Sequence, residues 1–85
     1  MKVRKSVKLF AEQMERVLRE HDKKKGRKGW KKCLARYLRD KLDEEVSEYK
    51  GHLFFPIDDS KSQAKNELID IANICMMLYD KKGGM

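Results

Sequence analysis

Residues 68–79 read LIDIANICMMLY, apolar at every position except Asp70 and Asn73. A helix that is apolar around most of its circumference belongs at the centre of a bundle, with other elements laid over it. It cannot serve as a membrane span. Its longest unbroken apolar stretch, residues 74–79, falls far short of the ~20 residues a bilayer requires. The rest of an 85-residue chain must therefore supply the cover.

Two other segments carry helical periodicity. Val7, Phe10, Ala11, Met14, Val17, Leu18 and His21 recur at the i, i+3, i+4, i+7 spacing over residues 6–22. Residues 23–29, KKKGRKG, break that pattern with charge and two glycines and read as a loop. A second helix is expected over residues 30–50, with Gly51 as its C-cap residue. Residues 52–59 form a connection in which Leu53, Phe54, Phe55 and Ile57 need cover and Pro56 opposes helix. Ser60 and Gln63 make a capping-box pattern for the third helix, expected to run to about residue 81. Residues 82–85 read as a tail. The expectation is an all-α single domain over residues 1–85, a small antiparallel helical bundle with its core in residues 6–81. Five Gly and one Pro are too few for a sandwich or barrel, which needs regular turn punctuation.

Such a bundle is short of core. Below ~70–80 residues a lone core rarely supplies more than ~3–5 kcal/mol. The two cysteines, Cys33 and Cys75, form no CxxC or zinc-ligand pattern that could staple it. Completion by oligomerisation is the natural expectation. Lys8, Glu12 and Glu15 interrupt any signal-peptide core near the N-terminus, so the chain reads as cytoplasmic with reduced thiols.

The net charge of +7 conceals two unlike halves. Residues 1–41 hold 16 Lys and Arg against 5 Asp and Glu; residues 42–85 hold 5 against 9. On a wheel of 100° per residue started at Trp30, Cys33, Leu34, Tyr37, Leu38, Leu42 and Tyr49 define an apolar arc. Glu44, Glu45 and Glu48 fall inside that arc, where unpaired carboxylates cost several kcal/mol each (~3 or more). On the third helix Glu67, Asp70 and Asn73 form one strip of neighbours. Two inward i, i+3 pairs, Glu45/Glu48 and Glu67/Asp70, can thus converge between antiparallel helices. Four carboxylates sharing a site need a cation or protons. With only oxygen donors, Mg²⁺ suits them better than zinc. The plain alternative is that Glu44, Glu45 and Glu48 pair with Lys41 or with basic residues of the first helix.

The acids read Glu44-Glu45-Val46-Ser47-Glu48, then after eighteen residues Glu67-Leu68-Ile69-Asp70. This is similar to the EExxE…ExxD signature of the MazG-like all-α nucleotide pyrophosphohydrolase superfamily, and the resemblance covers roughly residues 30–80. It implies Mg²⁺-dependent cleavage (Mn²⁺ the alternative ion) of a nucleoside or deoxynucleoside triphosphate to monophosphate and pyrophosphate. Glu45, Glu48, Glu67 and Asp70 would be metal ligands. Glu44, with Glu45 and Glu48 in the catalytic set, would be a further ligand or would orient the attacking water. Family members are dimers or tetramers, so the resemblance also implies a homo-oligomer. No His-x-Pro-x-Asn-like stretch precedes the acids; that region reads GWKKCL, and base preference does not carry over.

Beside the acids, Trp30 could stack on a nucleobase, and Lys31 and Lys32 could reach phosphate oxygens. Asn73, on a buried helix, needs hydrogen-bond partners and is a candidate substrate contact. His21, on the apolar stripe of the first helix, reads as a core-edge histidine before a substrate contact. The competing function is a nucleic-acid-binding helical module built on residues 23–32, seven of ten basic, with Trp30 among them. A catalytically silent interaction protein is the third class. Neither accounts for carboxylates on inner faces.

Overall fold

The computed structural model describes residues 1–25, 29–54 and 60–81, of which 25, 29, 54 and 60–62 by backbone alone. Three helices carry the chain: α1, Lys5–Lys25; α2, Ala35–Phe54; and α3, Ser60–Asp80. A single 3-10 turn, Gly29–Lys32, precedes α2. Among the described residues there is no strand, and the all-α expectation holds.

α3 is the shared element, packed on both α1 and α2, as its apolar circumference requires. It runs antiparallel to α2. Lys31 meets Asp80 near one end, Glu45 neighbours Asp70 midway, and His52 meets Glu67 near the other end. α1 is tied to α3 where Asn73 Nδ2 donates to the Met14 carbonyl at 3.3 Å.

The helix limits differ from the sequence expectation at three places. α1 continues to Lys25, because Lys23 and Lys24 are good helix formers and the break belongs to the glycines. α2 starts at Ala35 rather than Trp30. Cys33 N–H donates to the Trp30 carbonyl at 3.0 Å in the 3-10 turn, and Leu38 N–H to the Leu34 carbonyl at 3.2 Å opens the helix proper. At its other end α2 passes through Gly51 to Phe54. Glycine stops a helix only when the backbone turns left-handed there, and here the helix continues. The capping side chain of Ser60, and the expected apolar connection beyond Phe54, lie outside the described residues.

Gly51 is thus a helix-interior glycine, and a Cβ added there meets nothing within 4 Å. Gly51→Ala is expected to stabilise the fold by ~0.5–1 kcal/mol, through lower unfolded-state entropy and better helix propensity. In a chain of this size that raises Tm by several degrees, readable in a thermal melt followed by circular dichroism.

The core is thin. Among the described residues Leu38, Ala64 and Ile74 are its buried apolar residues, and no large side chain is fully sealed. The radius of gyration is 13.9 Å, where a compact domain of this length has about 12 Å. No described helix is long and apolar enough to cross a membrane.

Candidate active site

The inner face of α2 follows the spacing Leu38, Leu42, Glu45, Tyr49 and His52. Leu38 and Glu45 are buried, and Leu42, Tyr49 and His52 are half-buried. Facing it, α3 buries Glu67, Asn73 and Ile74 and half-buries Asp70. Glu45, Glu67 and Asp70 thus lie buried or half-buried on the facing sides of α2 and α3, and Asn73 lies buried on the same strip as Glu67 and Asp70. Glu44 and Glu48 are corrected. Both are exposed, because the inner face of α2 centres on Leu38, Leu42, Glu45 and Tyr49, to one side of an arc widened by Cys33 and Tyr37.

Glu44 is 58% exposed at its side chain and bridges to Lys41 Nζ at 3.6 Å, while Glu45 stands 3.7 Å from the same nitrogen. The plain alternative of pairing with Lys41 is thus realised for both acids. It leaves Glu45 undercompensated. Burial pushes its carboxyl above the usual range, and Glu48, Asp70 and Glu67 push it further against the pull of Lys41. The Asp70 carboxyl is raised too, first by burial and then by Glu48, against the opposing charges of His21 and Lys41. Glu67 keeps one oxygen against His52 Nδ1, an ion-pair approach without hydrogen-bond alignment, and its Oε2 is buried with no partner.

Of these groups Lys41, Glu45 and Asp70 line a cleft of about 370 Å³ between the three helices, and Glu67 and His52 lie outside its lining. α1 contributes Val17, Leu18, His21 and Asp22; the turn region adds Trp30 and Cys33. α2 contributes Tyr37, Leu38, Lys41 and Glu45, and α3 contributes Asp70, Asn73, Ile74 and Met77. The antiparallel pairing sorts this lining along the cleft. Trp30, Cys33 and Met77 make an apolar end, and Glu45 and Asp70 an acidic one, with Lys41 and Asn73 between. Asn73 is 3% exposed; its Nδ2 is used on Met14, and its Oδ1 has no partner.

Lys31 is displaced from its expected role. Its ammonium lies 4.0 Å from Asp80 and 5.5 Å from the Trp30 ring centre, and it does not line the cleft. Its carbonyl accepts from Lys81 Nζ at 2.9 Å, so residues 31 and 81 clasp the turn that carries Trp30 to the end of α3. Lys41, half-buried, is the lysine that contributes to the cleft lining. His52 escaped notice as well, because it was expected beyond the helix end; the seven-residue spacing Leu38, Glu45, His52 was the signal for it.

The donor set fits a hard divalent cation in chemistry: carboxylates only, two of them raised first by burial and then by neighbouring acids, and one buried oxygen without a partner. Yet among the described residues no three His, Cys, Asp or Glu side chains are gathered closely enough to hold a metal ion. Holding one requires side-chain rotation, with Glu48 turning inward. No family model, curated protein or solved structure matches the chain.

Proposed function

We propose that this chain is a Mg²⁺-dependent nucleoside triphosphate pyrophosphohydrolase, acting as a cytoplasmic homodimer or homotetramer. The observation that supports it most is the cleft, whose lining brings Trp30, Cys33 and Met77 together with the carboxylates Glu45 and Asp70. A nucleotide has the matching polarity: an aromatic base that stacks, and a polyphosphate that travels with a cation.

In this reading Glu45, Glu67 and Asp70, joined by Glu48, hold the ion. When bound it would neutralise phosphate charge and lower the pKa of a coordinated water. The chain's own residues do the positioning. Trp30 and Met77 bound the base, the free Oδ1 of Asn73 accepts a hydrogen bond from base or sugar, and Lys41 Nζ sits where a phosphate oxygen can displace Glu44. Glu44 serves by holding Lys41, and Lys31 by holding the turn.

The test is a screen of ribo- and deoxyribonucleoside triphosphates with Mg²⁺ or Mn²⁺, separating pyrophosphate from phosphate release. Pyrophosphate with monophosphate from at least one nucleotide is the expected result. Silence across the screen, together with DNA or RNA binding that weakens steeply with salt, would transfer the assignment to the basic segment of residues 23–32.

A further inference from the structure

Trp30 reaches the cleft from a turn that is too short to hold itself. Gly29–Lys32 is four residues long, and Cys33 N–H closes it on the Trp30 carbonyl. Hydrogen-bond geometry in a 3-10 turn is poorer than in an α-helix, so one such turn needs support from outside. That support comes from the end of α3, which the antiparallel packing brings beside the start of α2. Lys81 Nζ donates to the Lys31 carbonyl at 2.9 Å, and the Lys31 ammonium lies 4.0 Å from Asp80. Lys81 is half-buried, although its neighbour Asp80 is exposed. The same residue closes α3: its N–H is shared between the carbonyls of Met77 at 3.1 Å and Leu78 at 3.2 Å. Met77 and Trp30 both line the cleft. One lysine thus ties two cleft residues together, by its backbone to Met77 and by its ammonium to the turn that carries Trp30.

We propose that Lys81 is a positioning residue that clasps Trp30 in place at the cleft, and that through the indole it sets the affinity for a nucleotide base rather than the rate of cleavage. The base rests on the proposed function; the clasp does not. Lys81 lines no part of the cleft, so its influence passes through the turn. A ligand that stacks on Trp30 binds only while the ring is in place. Releasing the turn therefore lowers apparent affinity in proportion to the fraction of chains still clasped. Ground state and transition state lose that contact alike, which raises KM and spares kcat. An exposed charged contact is modest, so the expected loss is ~3–10-fold.

Trp30 is the chain's single tryptophan, so acrylamide quenching of intrinsic fluorescence reads its exposure directly. Lys81→Met keeps the aliphatic stem and removes the ammonium. Quenching should rise with the helical circular-dichroism signal unchanged, and KM should rise by ~3–10-fold at unaltered kcat. Lys81→Arg, which keeps a donor, should restore both. Lys8→Met, which removes an equal charge from an exposed position on α1, should move neither. Trp30→Ala should raise KM by itself, and adding Lys81→Met to it should raise KM no further. Unchanged quenching in Lys81→Met overturns the clasp. Raised quenching with KM unmoved, with a fall in kcat, or with a KM increase that persists in the Trp30→Ala background overturns the positioning role. Raised quenching in a protein that cleaves no nucleotide overturns the proposed function and leaves the clasp standing.

Discussion

Asp70→Asn is expected to lower triphosphate turnover by ~100-fold or more while leaving the helical spectrum intact. Outer-sphere partners of a metal ligand already cost ~10–100-fold when removed, and Asp70 is assigned to the ligand set itself. The substitution is nearly isosteric at a half-buried position, so packing is conserved. Its effect on the metal-free fold has the opposite sign. Burial and Glu48 raise the Asp70 carboxyl, so its ionised form is a burden on the folded state at neutral pH. Removing that charge should hold or increase apo stability near pH 7. The gain should vanish as pH falls through the raised Asp70 range, because the wild-type carboxyl is then protonated as well. Activity falling as stability rises is the pattern of a functional acid; a parallel loss of both would assign Asp70 to structure. Neutralising Lys23, Lys24 and Lys25 should change turnover only modestly, through steering that fades with salt.

Leu38→Ala should unfold the isolated chain. Leu38 is 3% exposed and is one of three buried apolar residues among those described. A buried Leu→Ala change costs ~2–5 kcal/mol, and a lone core in chains of this size supplies little more than ~3–5 kcal/mol. The same substitution at Leu34, 75% exposed just before α2, should cost no more than ~0.5 kcal/mol. Thermal melts of the two variants provide the comparison. If both melt alike, the core is not centred on the α2–α3 seam.

The periodic code made the seam legible and the helix ends obscure. Glu67, Asp70 and Asn73 could be placed because α3 is uninterrupted, so angle follows from spacing alone. α2 was harder, because Trp30, Cys33 and Leu34 look like the start of its stripe and are not in it. Counting them turned the apparent inner face and brought Glu44 and Glu48 inside with Glu45. Leu34, before the helix, and Tyr37, in its first turn, are left exposed. Gly51 misled in the other direction, by hiding that His52 stands on the helix against Glu67. The role of Lys41 was not visible as a cleft feature at all. An ammonium between two carboxylates reads equally as a surface pair until the fold shows which side of it opens on a cavity.

α3 presents the cleft with Asp70, Asn73, Ile74 and Met77 and presents Leu68, Cys75 and Tyr79 on its other side. One helix, ~10 Å across, separates the two surfaces, with nothing between them but its own backbone. A helix is stiff along its axis and turns as a unit, so a rotation that reseats Tyr79 also moves Asp70. Were both faces to bind, any coupling between them through α3 would be reciprocal: a cleft ligand that favours one setting of α3 would shift the affinity of the outer face by the same factor. In so small a chain, a change on one side of the central rod is felt on the other without a hinge between them.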